Sequence, residues 1–552
     1  MKIWTSKYIL QTFFTAVTIC IVLMSTALGE QGKYFPKKSY VPKPLPVFEK
    51  MVDKLPKPVF EENNDYIKCY YAAWEIAFRN FYEPQPTSRF VSQYIDAAFS
   101  NSIFLWDTCF MTMFCNYAHP HVPGIFSLDN FYARQYEDGE ICREINRTTG
   151  APYNLWINKE NKSLFSRLGF NWEKDEKEIV YRDREKPTPN PVLTLDSLNN
   201  PIFAWAELES YRMTGDKQRL EMVWEPLVQY YNALQKYLRQ GNGLYMTDWA
   251  SMDNSTRNQY LAGGGAAIDT SAQMVLFVRN LAQIADILKK KDAYRKYSKD
   301  AAELSRKINN NMWDSNSKFY YDLTIDSKLA PVKTIAAFWT LLAEVATKDK
   351  AGLLAGELEN PKTFKTLHRV PTLAADQNGF NPETGDYWRG AVWAPTNTMV
   401  IRGLEKYGYN NLAEEIALNH LDNVVRIYKE TGTIWENYAP QRITQGDPSR
   451  KDFVGWSGMG PILYFIEYAI GIKPDAVSNT ITWNIKSDGK VGIENLWFNN
   501  KTVSLLCERA DAKGNRLITV KTDGEFILKV NYGTKHKTMK IRESKTINEH
   551  TI

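Results

Sequence analysis

Histidine is scarce in this chain, with six residues in 552. His119 and His121 share a Pro-flanked loop, and no HExxH pair lies on a helical pattern. A hydrolytic metal centre of clustered His and acids is therefore not expected, and no metal ligand is assigned. Cysteine is equally sparse and shows no CxxC or zinc-like spacing. Cys20 lies in an apolar N-terminal run without a convincing lipobox. The other five, Cys69, Cys109, Cys115, Cys142 and Cys507, are an odd number, which argues against a full disulfide framework but leaves room for one bridge. A block of one charge sign is also missing: 68 Lys and Arg face 63 Asp and Glu, for a net charge of +5. Without a basic stripe, nucleic acid is not an expected partner. No GxSxG elbow offers a serine nucleophile, and Gly263-Gly264-Gly265 follows no strand, so its phosphate-binding signal is weak. No cofactor is expected.

Aromatic residues are plentiful, at 13% of the chain with 16 Trp and 31 Tyr. Such rings suit large cores and equally the apolar faces of sugars. Residues 1–29 read as a targeting segment. Lys2 and Lys7 precede an apolar run from Tyr8 to about Ala27, and Ala27-Leu28-Gly29 offers a cleavage site. The run approaches the ~20 residues that span a bilayer, so an uncleaved anchor is the alternative. Either form exports the rest of the protein, to the periplasm or the medium.

Residues 30–64 are Pro- and Lys-rich and read as an extended arm. From 65 to 473 the pattern is helical. Leu220, Val223, Leu227, Tyr230, Leu234 and Tyr237 share one face of a helix over 217–238, which Pro226 interrupts. Similar faces recur over 201–213, 269–290, 293–312, 333–346, 393–407, 411–428 and 461–470, with shorter helices over 66–80, 108–116 and 129–135. Paired helices joined by polar turns, without strands between them, fit an all-α toroid or a helical solenoid. Long aromatic and acidic loops favour the toroid, because a barrel gathers alternate loops at one end. Residues 474–552 instead alternate apolar and polar residues, which predicts a small antiparallel β domain.

Five loops carry the chemistry. They are Phe104-Leu105-Trp106-Asp107, Leu195-Asp196-Ser197, Asp248 to Arg257, Asp386 to Trp393, and Thr433 to Tyr438 followed by Trp456. Helix capping accounts equally well for Asp107, and better for Asp196. A tryptophan–arginine stack is a purely structural reading of the fourth loop. The chemistry common to these loops is carboxylates among aromatic rings. Breaking a glycosidic bond needs that set: one acid protonates the leaving oxygen while the other activates water or attacks C1.

Met252-Asp253-Asn254-Ser255, Tyr387-Trp388-Arg389-Gly390 with Trp393, and Trp435-Glu436-Asn437-Tyr438 resemble, in order and spacing, glycoside hydrolase family 63. That family includes processing α-glucosidases and mannosylglycerate hydrolase-like enzymes, with the trehalases as clan relatives. The resemblance covers about 65–472. It implies an (α/α)6 barrel and hydrolysis of an α-linked sugar, an α-glucoside first, with inversion. It also implies Asp253 as general acid and Glu436 as general base, about 6.5–9.5 Å apart. The resemblance places Asp107, Trp388, Arg389 and Trp393 at positions that line the sugar subsite, and Trp106, Trp249, Asn254, Tyr387, Gly390, Trp435 and Trp456, from the same loops, complete the expected substrate-binding set. The expected partner is an oligosaccharide or small glycoside, and a membrane only if the first segment stays uncleaved. Some features depart from the family. Asp248-Trp249-Ala250-Ser251 stands where Glu-Ser-Gly is common, Thr256 stands where proline is frequent, and room for a large N-terminal β domain is missing. These departures bear on the substrate. They also keep open a non-catalytic carbohydrate-binding protein on the same barrel. A polysaccharide lyase fits less well, since acidic loops do not suit uronates.

Overall fold

The computed structural model describes residues 32–151, 201–246, 252–261 and 265–552. The targeting segment, the Asp196 loop, Asp248 and Trp249 lie outside the described residues. Among the described residues no helix is long and apolar enough to cross a membrane.

Local chemistry sets the helix ends. Asn63 caps Asn64–Arg79 by accepting the Asp65 N–H at 3.0 Å, and Asp216 caps Lys217–Leu238 through the Arg219 N–H at 3.0 Å. The second helix runs through Pro226 without ending there, although proline costs a helix interior one hydrogen bond. Its face of Leu220, Val223, Leu227, Tyr230 and Leu234 is buried. That apolar burial offsets the lost bond.

Contacts between elements run in a closed circuit. Leu105–Cys115 packs on Phe203–Thr214, which packs on Ile268–Ile287, then Trp339–Leu342, then Ala394–Lys406, then Trp456–Met459, and so back to Leu105–Cys115. Lys217–Leu238, Lys291–Asn311 and Asn410–Thr431 each pack on the helix next to them in sequence. Buried ion pairs join neighbouring elements. Arg219 binds Glu207 at 2.7 Å and Asp129 at 3.0 Å, and Arg402 binds Glu467 at 2.6 Å.

The structure corrects several expectations. Residues 333–346 are not one helix but a 3-10 turn, Ile335–Phe338, followed by the single turn Trp339–Leu342. Thr340 Oγ1 donates to the Ala337 carbonyl, and Glu344 adopts φ +53, so the run cannot propagate. The helix Lys348–Glu359 was not expected. Its Thr347 cap and its buried Ala351, Leu354, Ala355 and Leu358 explain it. Short two-stranded pieces interrupt the helical region, for example Ser102–Phe104 with Glu144–Asn146.

The arm also differs from the expectation. Only its first part is extended; Phe48–Met51 is a helical turn, and Lys57–Phe60 is an edge strand pairing with Val491–Phe498. Pro58 is tolerated there because an edge strand does not need every N–H. The β region is thus two sheets rather than a purely C-terminal unit. Lys57–Phe60 leads a five-stranded sheet, and Ile472–Asp475, Thr480–Ile485, Phe526–Tyr532 and Lys535–Ile541 form a four-stranded one. It is also not wholly antiparallel, because Phe526–Tyr532 pairs parallel with Thr480–Ile485. Gly471 at φ +88 turns the chain out of Gly460–Ile470, a buried segment with π-helical bonding, into the first strand of that sheet. Trp483 Nε1 donates to the Ile470 carbonyl at 3.0 Å, and Phe60 packs edge-on to Phe465. The sheets are therefore fastened to the helices through aromatic contacts.

Candidate active site

Glu436 leaves the end of a long helix. Asn410–Thr431 stops at Gly432, whose φ of +72 closes the helix by donating to the Tyr428 carbonyl, and the chain then enters Thr433-Ile434-Trp435-Glu436. The Glu436 carbonyl accepts Trp456 Nε1 at 3.0 Å and Ser457 Oγ at 3.3 Å, so its backbone is fixed from the opposite side of the loop. Its side chain is 2% exposed and accepts three hydrogen bonds. Arg450 Nη1 donates to Oε1 at 2.7 Å, Tyr387 Oη to Oε1 at 3.3 Å, and the Arg450 N–H to Oε2 at 3.2 Å. Burial raises the Glu436 carboxyl above its ordinary range, and Arg450 and Tyr387 pull it back down.

Asp253 stands in the turn after buried Met252. Desolvation by surrounding protein raises its carboxyl, with Arg143 and Arg450 acting in the opposite direction. Its surface is nevertheless exposed. Water reaches the carboxyl while the protein atoms packed around it displace much of its wider hydration shell. Arg257, four residues on, is fully buried and bonded to Asp269 at 2.6 Å and Asp322 at 3.4 Å. That buried triad anchors the turn.

Two residues connect the carboxyls. Tyr387 has its ionisation opposed first by burial, then by Glu436 and Asp253. Arg450 acts on both acids as well. Asp386 at φ +36 and Tyr387 at φ +63 adopt the left-handed region, which costs side-chain-bearing residues about 1–3 kcal/mol each and points to a functional constraint. Asn254 ties the loops together, since its Oδ1 accepts the Trp388 N–H at 2.9 Å and its Nδ2 donates to the Asp386 carbonyl at 2.9 Å.

The aromatic residues fall into three groups. Trp388 stacks flat on Trp393 with centroids 4.4 Å apart and an interplanar angle of 6°. Trp393 in turn meets Tyr387 at 4.9 Å and Trp456 at 5.7 Å. The stack is therefore between two tryptophans. Arg389 is exposed and donates to the Asn254 carbonyl at 3.2 Å, so the tryptophan–arginine stack is replaced. Gly390 has φ +134, and a Cβ there would stand 2.7 Å from Phe380. Trp435 is half-buried and spends its indole N–H on Thr431 at 3.1 Å. Trp106 is buried against Phe110 and Trp339.

Asp107 does not cap its helix. Phe104 occupies the cap position, and Asp107 lies inside the first turn. It is buried and its Oδ1 has no hydrogen-bond partner. Burial, then Asp96 and Glu436, raise its carboxyl well above the ordinary range. A buried polar atom left unpaired costs about 1–3 kcal/mol. Sequence reading missed Arg450, Arg143 and Phe99. They stand in loops without a local signal, and only the fold brings Arg143 and Arg450 to the acids and Phe99 under Arg450.

The arrangement suits acid–base work on a polar, ring-shaped substrate, and comparison with known proteins agrees. The Mannosylglycerate hydrolase MGH1-like glycoside hydrolase domain matches residues 179–457. A probable mannosyl-oligosaccharide glucosidase of Schizosaccharomyces pombe is 25% identical over 316 residues, covering 53% of this chain and 37% of that protein. A mannosylglycerate hydrolase of Rubrobacter radiotolerans is 29% identical over 183 residues, covering 32% of this chain and 39% of that one. The chain thus spans less than two-fifths of either enzyme's length. In fold, the chain is similar to the family 63 mannosylglycerate hydrolase of Thermus thermophilus in complex with glucose, with a TM-score of 0.53 and 18% identity over 72% of this chain and 99% of that one. The domain match takes in the Asp253 turn, the Tyr387–Trp393 loop, Glu436 and Arg450 together, and the chain belongs to the mannosylglycerate hydrolase MGH1-like glycoside hydrolases of family 63.

Proposed function

We propose that this protein is an exported glycosidase that cleaves an α-linked sugar with inversion on an (α/α)6 barrel. Asp253 is the general acid and Glu436 the general base. The observation that carries this reading is that Tyr387 and Arg450 both hydrogen-bond Glu436 and both also interact electrostatically with Asp253. Asp253 is raised by desolvation, as a proton donor near neutrality requires. Glu436 accepts three hydrogen bonds that favour its charged form, as a base requires. The closed circuit of helix contacts supports the barrel.

An α-glucoside is the first substrate class. A second reading, a sugar linked to a carboxylate-bearing group such as glycerate, is favoured by the Arg143 and Arg450 guanidiniums acting on Asp253, since they would meet a negative aglycone beside the acid. The family relatives named for mannosylglycerate support it too. The test is a panel of neutral α-glycosides and glycosylglycerates, with the anomer of the released sugar followed by NMR. The β-anomer appearing first from an α-glycoside supports inversion; the α-anomer overturns it. Tight binding across the panel with no hydrolysis would instead support the carbohydrate-binding alternative.

A further inference from the structure

Glu436 has about four lone-pair directions on its carboxylate, and three are occupied. Oε1 receives both Arg450 Nη1 and the Tyr387 hydroxyl, and Oε2 receives the Arg450 backbone N–H. One direction on Oε2 remains. Arg450 therefore grips both oxygens of one carboxylate, Oε1 through its guanidinium Nη1 and Oε2 through its main chain.

The guanidinium is itself held. It lies 4.8 Å over the Phe99 ring, which stacks on Phe104 at 5.0 Å and on Phe453 at 6.1 Å. Phe104 opens the helix carrying Asp107, and Phe453 closes the loop that returns from Glu436. This aromatic platform orients Arg450 by a cation–π contact rather than by a second carboxylate. The arginine is half-exposed, with its side chain 48% accessible. Such a position contributes little to stability, so the pair is better understood through its effect on Glu436.

We propose that Arg450, seated on Phe99, is a positioning residue that keeps the Glu436 carboxylate ionised and turned so that the free Oε2 lone pair receives the attacking water. This rests on Glu436 acting as the base. Proton accounting is simple: water gives one proton to Oε2 as its oxygen forms the new bond to C1, and Asp253 gives one proton to the departing oxygen as the old bond breaks. The charged and titratable groups facing Glu436 are Arg450, Tyr387 and Asp107. Burial and Asp107 oppose its ionisation, Tyr387 supports it, and Arg450 is the one cation among them.

The experiment is the pH profile of kcat/KM for full-length wild type, Arg450→Gln and Arg450→Lys, with Glu436→Gln as the control. In Arg450→Gln the acid limb moves to higher pH, and the loss, about tenfold or more at the acid end, shrinks as pH rises. Arg450→Lys keeps the charge but not the planar fork, so it restores the acid limb while kcat stays low. A uniform loss in Arg450→Gln with an unmoved limb overturns the proposal. Should Arg450→Gln fail to fold, Arg450→Lys decides: full kcat in that variant also overturns it. Retained activity in Glu436→Gln would sink the base assignment instead, a distinct failure.

Discussion

Asp253 and Glu436 illustrate how one fold makes two carboxyls differ. Both are raised by desolvation, but Glu436 is bonded by one arginine guanidinium nitrogen, a tyrosine and a backbone N–H, whereas Asp253 is drawn down chiefly by longer-range attraction from Arg143 and Arg450. Asp253→Asn and Glu436→Gln preserve shape and remove the proton chemistry, so each should lower kcat by about 10²-fold or more with folding intact. Steady-state kinetics alongside a thermal melt checks this. Full activity in either variant removes that residue from the mechanism. At this scale the sequence was partly legible. The motif residues Asp253, Tyr387 and Glu436 do meet in space, because each sits at a loop whose flanking helix or turn is locally encoded. Arg450 was illegible: it stands 14 positions beyond Glu436 among ordinary turn residues, and its partner is decided by how that loop folds back.

The element that matters most is the pair of loops stapled by Asn254. Its amide spends both ends on the Asp386 carbonyl and the Trp388 N–H, which hold Asp386 and Tyr387 in their left-handed conformation. Asn254→Ala leaves those two backbone groups without their partner, at about 1–3 kcal/mol for each buried one. Relaxation of the strained turn should move Tyr387 away from Glu436, so kcat falls roughly tenfold or more while KM changes little. The kcat and KM of this variant separate two roles: a raised KM with unchanged kcat would make Asn254 a sugar contact instead. The same loop shows why residue type did not reveal position. Trp388 and Trp393 are both expected to meet the sugar, yet they stack on each other. Stacking buries two large apolar faces at once, a packing gain that a one-dimensional pattern cannot display.

Across the whole molecule, a buried histidine pair lies against the loop that carries Glu436. His368 Nε2 and His420 Nδ1 are 2.9 Å apart, and both rings pack on Tyr438, two residues after Glu436. Burial lowers both, His420 to about 3 from the ordinary 6.5. The unfolded chain takes up these protons below pH 6.5 while the folded protein refuses them. The contribution to stability is thus complete above pH 6.5 and is lost as pH falls toward about 3. Asp96, raised by burial to about 7, acts in the opposite sense, so comparison with a variant isolates the histidines. His420→Gln should lose less of its melting temperature than wild type between about pH 7 and about pH 5. An equal drop in both proteins would show that the pair does not control acid sensitivity.

The sequence by itself determined the helical hairpins, the alternating strands and the three motifs, because periodicity, caps and turn residues act over a few positions. It also carried the family resemblance that the domain match bears out. Tertiary structure decided the rest. It recruited Lys57–Phe60 into the far sheet, broke 333–346 into turns, paired Phe526–Tyr532 parallel with Thr480–Ile485, and set Arg450 on Phe99 beside Glu436. Each of these depends on contacts between residues far apart in the chain, whose free energy comes from burial and charge pairing at closure. No local preference of the residues concerned encodes such contacts.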